Sequence, residues 1–494
     1  MLQTKSDQDT YRPQFHFSPA SAWMNDPNGM VYYEGEYHLF YQHHPHNAFW
    51  GPMHWGHAVS RDLVHWEHLP IALFPDRHGA IFSGSAVVDR DDATGFFDGG
   101  SGLVAMFTHH AEVEGRVLQR QSLAYSSDKG RSWTMYAGNP VLEDRRFVDY
   151  RDPKLFRDEA RKRWGMVLAA GDRVVFYHSN NLIDWTFGSE FGVTEGSHDG
   201  VWECPDLFEL PIDGDEARRR WVLLVSIGPN PELPEGSRTQ YFIGTFDGER
   251  FANDDAPETV RWLEHGRDNY AGVTWSDVPA QDGRRLFIGW MSNWLYADKT
   301  PTGGQGWRGA MTLPRELALR TRPDGDVALS QSPVAELETL REPVLRLGES
   351  TLRPDSANPL DRLAEDRFEV EAEFEPGDAE SFGFAVRSGE GQGTVVGYDA
   401  ARGVLFLDRS ASGDVGFHER FPCRHEAPAP ARGGRVKLRL FVDRSSIEVF
   451  ANDGEVVMTD LIFPDPGSRG MRIFAEGGEA RLVSLELYRM KSIW

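Results

Sequence analysis

Cysteine is nearly absent: Cys204 and Cys423 are the only two in 494 residues. The organisation set out below places them in different domains, so no disulfide framework is expected and the fold must stand on its core. Long apolar runs are missing too, and nothing approaches the eighteen or so uninterrupted apolar residues that a membrane span requires. The opening residues MLQTKSDQDTYRP lack the apolar centre of a secretory leader. As written, the chain reads as cytoplasmic, or as secreted if a leader has been trimmed. Basic charge is short, with 52 Lys and Arg against 76 Asp and Glu, a formal net charge of -24 and no basic stripe. That balance argues against nucleic acid and anionic membranes as partners and suits a neutral substrate. No long segment keeps a 3.6-residue apolar period, so helices are expected to be scarce.

What is present is β-structure. At this length two or three domains are the natural division. From about Tyr32 to Leu319, short runs rich in Val, Ile, Phe, Tyr and Trp are broken by Gly, Pro, Asp and Asn every eight to twelve residues, the mark of many antiparallel strands. A weak repeat runs through them. Ser60 to Trp66, Ser126 to Trp133 and Ser179 to Trp185 share one form, a strand, a polar Ser/Asp/Asn turn, and a Trp opening the next strand. A second series marks strand starts at Asp26, Ser83, Asp152, Glu203 and Tyr270, spaced by 57, 69, 51 and 67 residues. Five units of about sixty residues suggest five sheets set radially, a β-propeller whose inner strands begin around one axial pocket. The alternative is a stack of hairpins with no common axis. Thr321 to Leu345 changes character, and Ser332-Pro333 followed by VAELETL reads as a short capped helix with Pro at its first position. Beyond Thr351 clean alternation returns, with Asn452-Asp453-Gly454 as a hairpin turn. The expected architecture is all-β: a five-bladed propeller over 1–320, a linker with a short helix over 321–350, and a β-sandwich over 351–494.

In such a propeller, residues far apart in sequence but each at the start of an inner strand converge. Asp26, Asp152 and Glu203 would then share one pocket, with Arg151 beside them. Glycoside cleavage needs such a set, one carboxylate to attack or stabilise the anomeric carbon and another to protonate the leaving oxygen and later activate water. Crowded carboxylates raise the pKa of at least one, and a neighbouring guanidinium holds another ionised. Trp23, Trp50, Trp55, Trp290, Trp294 and Trp307 could pack on the C–H faces of sugars, and Asn25 and Gln42 could grip hydroxyls. Each feature alone has a plainer explanation, since Asp-Pro usually marks a turn and a Trp in a β-domain is usually core. Together they point to a carbohydrate-active propeller without naming the sugar.

WMNDPNGM at 23–30, FYQHHP at 40–45, HWGHAVSRDLVHW at 54–66, FSGS at 82–85, YRDPKLF at 150–156, WECPDLF at 202–208, GWMSNW at 289–294 and WRGAMTLPREL at 307–317 resemble glycoside hydrolase family 32. VDRSSIEVFANDGE at 442–455 resembles that family's accessory β-sandwich, so the likeness covers nearly the whole chain. The resemblance implies a β-fructosidase in which Asp26 is the nucleophile, Glu203 the acid and base, and Asp152 a binder of fructose hydroxyls that stabilises the transition state beside Arg151. It places Asn25, Gln42, Trp50, Phe82 and Ser83 around the fructose, with Tyr270 and Trp307 as further members, and Trp23 is expected to bind substrate beside them. One departure is Asn269, where relatives often carry an aromatic; it is expected at the pocket rim. The wording of several motifs resembles exo-inulinases and levanases, which implies exo-hydrolysis of fructans (inulin, levan), fructo-oligosaccharides and sucrose without a cofactor.

The histidines at 43, 44, 46, 54, 57, 65 and 68 resemble a metal cluster. On strands, however, His54 and His57 would point to opposite faces, and no metal is expected. Cys204 reads as a packed neutral thiol. Glycine pairs such as Gly303-Gly304 precede no helix and do not read as phosphate loops. The competing readings are a fructosyltransferase, a sucrose-specific invertase, a propeller hydrolase of arabinans or xylans, and a non-catalytic fructan-binding module. The protein is expected as a monomer or homodimer, with the sandwich bracing the propeller.

Overall fold

A computed structural model describes residues 9–494, so the first eight residues of the stretch read for a leader lie outside it. Five four-stranded units follow one another. Their inner strands are Ala22–Tyr33, Ala80–Asp89, Tyr150–Asp158, Trp202–Ile212 and Tyr270–Thr274. Each inner strand packs on the next, and the fifth returns to the first, which closes the ring. The five marker residues fall within these strands close to their first residues, so the radial reading holds and the hairpin stack does not.

The repeated turn is one structure used three times. Ser60, Ser126 and Ser179 hydrogen-bond through their hydroxyls to Asp62, Asp128 and Asn181 at 3.0, 2.8 and 3.1 Å. Three residues before each Trp a backbone carbonyl turns inward, and the indoles of Trp66, Trp133 and Trp185 donate to those of Leu63, Gly130 and Leu182 at 3.1, 3.1 and 2.9 Å. A buried indole N–H left unpaired is costly, so the Trp selects the turn as much as the turn places the Trp. The aliphatic faces between blades form continuous cores. Val87, Val104 and Met106 of the second blade interleave with Tyr150, Leu155, Trp164 and Met166 of the third, each fully buried side chain contributing about 1.5–3 kcal/mol.

The segment expected as a linker is mostly paired. Val327–Pro333 is the outer strand of the fifth blade, antiparallel to Arg315–Thr321. Arg341–Leu347 is the first strand of the sandwich, paired with Ala480–Met490. Between them lies a 3-10 turn, Ala335–Leu340, capped at Val334 without a side-chain hydrogen bond. Pro333 therefore ends a strand instead of opening a helix: its missing N–H suits the end of an edge strand equally well.

The sandwich packs a seven-stranded sheet on a five-stranded one, with Phe368, Val370 and Phe374 facing Phe382, Phe384 and Leu405. The turn at Asn452-Asp453-Gly454 joins Ser446–Ala451 to Val456–Leu461, with positive φ at all three residues. The sandwich docks on the propeller through a buried ionic seam that draws on both of its sheets. Arg315 reaches Glu264 at 2.8 Å and Glu448 at 2.6 Å, and its side chain is 0% exposed. His16 bridges Asp443 at 2.8 Å and Glu448 at 3.0 Å. Arg409 meets Asp268 at 2.5 Å, and His425 meets Asp460 at 2.9 Å. Both cysteines are free, Cys204 in the propeller and Cys423 in the sandwich.

Candidate active site

Each inner strand breaks register beside its axial residue. The irregularities fall between Met24 and Pro27, Ile81 and Gly84, Glu203 and Asp206, and Tyr270 and Val273; in the third blade they fall between Arg151 and Lys154, opposite Val167 and Ala169. Asp152, Cys204 and Ala271 take left-handed φ of 66°, 46° and 54° at these bulges. A bulge turns a side chain that would lie against a sheet face toward the axis. Strain of this kind at non-glycine residues costs about 1–3 kcal/mol each and persists where the surrounding packing fixes it.

The three carboxylates meet there. Asp26 receives the Asn25 amide at 2.9 Å on Oδ1 and the Ser83 hydroxyl at 2.7 Å on Oδ2. Arg151 donates to Glu203 Oε1 through Nη2 at 2.8 Å and Nε at 3.2 Å, and the Tyr270 hydroxyl donates to Glu203 Oε2. Arg151 is held from behind by Asp149 and by Gln119 at 3.3 Å. Asp152 Oδ2 accepts the Cys204 backbone N–H at 3.0 Å, and the Cys204 thiol lies 3.5 Å from Asp26 and 3.6 Å from Asp152.

Burial pushes the Asp26 carboxyl above its ordinary range, and the charge on Glu203 adds to this against the donors Asn25 and Ser83. Asp152 is pushed up to about 7 by burial; Arg151 opposes the shift, while Glu203 and Asp26 reinforce it. Burial and three neighbouring anions keep the Cys204 thiol protonated, as a neutral S–H donor between two acids. Burial works against the charge of Arg151, but Glu203, Asp152 and Asp149 outweigh it and hold its proton firmly.

The other expected site residues divide. Phe82 stacks on His110 at 4.1 Å and receives Trp50 edge-on at 6.1 Å, and Trp50 is 49% exposed. Gln42 is buried and donates to Asn28 at 2.7 Å and to the Ile81 carbonyl at 3.0 Å, bracing the first blade against the second. Trp23 is 1% exposed, so it is no platform; its indole donates to Asn25 Oδ1 at 2.7 Å and sets the amide that serves Asp26. Trp55, Trp290 and Trp307 are equally buried. The Trp307 indole donates to Asp9 at 3.0 Å and lies under the Arg12 guanidinium at 4.3 Å. Asn269 is not at the rim: it is buried and donates to Glu264 at 2.6 Å, within the domain seam. The histidines serve the backbone, with His43, His44 and His54 bonded to the carbonyls of Trp23, Phe49 and Pro52. His57 pairs with His38 at 3.0 Å.

Sequence reading passed over Lys154 and Asp206, although both stand inside the quoted motifs. They form a buried pair at 3.1 Å that ties the third blade to the fourth beneath the pocket. Ser85 does the same between the second and third blades, donating to the Pro153 carbonyl and accepting the Leu155 N–H, both at 2.8 Å. The motifs thus mix residues that face the axis with residues that stitch blades together, and only the fold separates the two.

The family description "Glycosyl hydrolases family 32 N-terminal domain" matches residues 16–333, and "Glycosyl hydrolases family 32 C terminal" matches residues 336–489. A levanase of Bacillus subtilis (strain 168) is 54% identical over 99% of this chain and 71% of its own length. A levanase of Bacillus sp. (strain L7) is 44% identical over 98% of this chain, which spans 53% of that protein. The crystal structure of exo-inulinase from Aspergillus awamori superposes with a TM-score of 0.90 at 37% identity, covering 98% of this chain and 99% of that one. Family matches on both domains and likeness along the whole length agree with the propeller and the sandwich, so the chain is a glycoside hydrolase and belongs to glycosyl hydrolase family 32.

Proposed function

We propose that the protein removes terminal non-reducing β-D-fructofuranosyl units from fructans, fructo-oligosaccharides and sucrose, with retention of configuration. The observation that carries this reading is the convergence of Asp26, Asp152 and Glu203 from three blades on one axis, with separate donors for each. Asp26, held by Asn25 and Ser83, attacks the anomeric carbon. Glu203, aimed by Arg151 and Tyr270, delivers a proton to the departing oxygen, and a fructosyl ester forms on Asp26. Ester formation neutralises Asp26 while the departing proton leaves its charge on Glu203, so the net charge of the trio is unchanged. Glu203, now ionised, takes a proton from the water that cleaves the ester. Asp152, pushed up to about 7, carries a proton near neutrality and can donate to a fructose hydroxyl. Asn25, Gln42, Trp23 and Ser83 shape this floor from behind, and Phe82 and Trp50 wall the mouth. No step calls on a metal or an organic cofactor, and every residue named comes from one chain.

The likeness to levanases and an exo-inulinase supports a fructan substrate released from its end. The test is chromatography of products from sucrose, inulin and levan incubated side by side. Free fructose is expected as the first and dominant product from inulin and levan, and together with an equal amount of glucose from sucrose. Absence of fructose release, or growth of longer fructosides at high sucrose in its place, overturns the reading.

A further inference from the structure

Large apolar side chains on a soluble protein are ordinarily scattered when exposed, so three of them at one end of one blade call for a cause. Phe49, Trp50 and Phe74 are 53%, 49% and 55% exposed, and all three belong to the first blade and its connections. Strand direction places them on the pocket face. The second strand ends at His44, the third begins at His54, and the fourth ends at Leu73, so all three termini lie at the end where Asp26 opens the first strand.

The rings connect. Trp50 sits edge-on to Phe82 at the pocket wall. His44 bonds to the Phe49 carbonyl at 2.7 Å. From His44 the ring centroids step outward to His46 at 5.7 Å, to His54 at 6.1 Å and to Phe74 at 5.5 Å. This path leads radially away from the axis. Burial, with His46 and His44 alongside, lowers the His54 pKa, so its ring stays uncharged at neutral pH. The loop is also held in place. Arg308, from the segment that crosses back to the first blade, lies over the Phe49 ring at 4.5 Å and donates to the Ala48 carbonyl at 2.6 Å. The Phe49 N–H donates to Asn47 at 2.9 Å. A Cβ at Gly51 would come within 2.5 Å of the His44 ring, so glycine is needed for the loop to lie this close.

We propose that this row is a chain-binding track for the part of a β-fructan that remains outside the pocket, with Phe74 as its distal platform. The proposal rests on the reading of the pocket given above. Sugar rings offer C–H faces to flat apolar surfaces, and the exposed rings of Phe49, Trp50 and Phe74, held from beneath by the buried His44 and His54, can take separate units with little ordering of the protein. Phe74 follows the fourth strand, three strand spacings or about 14 Å from the first, a span that a polymer covers more readily than the two rings of sucrose. Phe74 therefore acts on chain binding and not on the reacting bond.

The experiment is Michaelis kinetics of wild type and Phe74→Ala on sucrose and on levan and inulin polymers, with Phe74→Trp as the conservative control. Phe74→Ala is expected to raise KM for at least one polymer by about three- to tenfold, to leave kcat on it unchanged, and to leave kcat/KM on sucrose within about twofold of wild type. Phe74→Trp is expected to restore the polymer KM. Unchanged polymer KM in Phe74→Ala, or an equal loss on sucrose, overturns the track. Wild type active on sucrose but inert on both polymers also overturns it, whereas wild type inert on all three substrates overturns the pocket reading itself.

Discussion

The axial pocket gathers Asp26, Asp152 and Glu203 around Arg151, whereas the domain seam buries Glu264, Asp268, Asp443, Glu448 and Asp460 among Arg315, Arg409, His16 and His425. Asp26 and Asp152 in the pocket behave oppositely to Asp443, Glu448 and Asp460 in the seam. In the pocket, burial wins: Asp26 is pushed up, and Asp152 reaches about 7. In the seam, burial pushes the same way, yet His16 holds Asp443 below its ordinary value, Arg315 and His16 do so for Glu448, and Arg409 and His425 for Asp460. Depth alone therefore does not decide whether a carboxylate is charged; the supply of cations does. The seam matches its acids with cations for docking, whereas the pocket sets three acids around the single cation Arg151, so that protons can move.

The largest expected effect separates the two regions outright. Asp26→Asn should lower kcat on sucrose by about 10^4-fold or more while the thermal midpoint stays level or rises, because a poorly paired buried charge is removed. Steady-state assays beside a melting curve check both halves. Arg315→Met should do the reverse. Glu264 and Glu448 would be left buried without their cation, at a cost of about 3–5 kcal/mol. Urea unfolding should show the loss, and Glu448→Gln added to it should recover part.

The pH dependence of stability sharpens the contrast further. Burial disfavours the charge on His16 and His425, but their acid partners hold each proton to about 9 in the fold, against 6.5 ordinarily. Their contribution is complete below pH 6.5 and is lost as pH rises to about 9, on the order of 3 kcal/mol for each histidine. Asp152 has the opposite sign, because its folded pKa is raised from 3.8 to about 7, so stability falls as pH rises across that interval. Melting from pH 4 to 10 should therefore show two descending limbs, and Asp152→Asn should flatten only the lower one. The smallest effect concerns Ser83, which donates to Asp26 at 2.7 Å. Ser83→Ala removes a bond that favours the ionised form, so the acidic limb of kcat/KM should move to higher pH with about a tenfold loss of activity.

Much of this could be read in the residues. The Ser-to-Trp turns recur because a buried indole needs a carbonyl at a set place, and the strand starts recur because each blade needs a bulge where it meets the axis. Other features gave no such signal. Asn269 reads as a rim residue but is bonded to Glu264 in the domain seam, because strand alternation says which faces differ and not which face meets the ligand. Glu369 alternates with apolar neighbours as if it faced solvent, yet it is buried between Arg341 at 2.6 Å and Arg439 at 2.7 Å.

What the residues by themselves determined is local and periodic: strands of period two, five units, their turns, a second β-domain, and which acids stand at strand starts. These follow from short-range sterics and from the alternation of apolar side chains, which need no partner to be recognised. Only the tertiary structure decided which of the buried charges were paired, which tryptophans were reachable, and that the motif around Asp443 and Glu448 clamps the sandwich to the propeller. Those outcomes depend on contacts between residues hundreds of positions apart, and an electrostatic environment is a property of the space around a group, not of its neighbours along the chain.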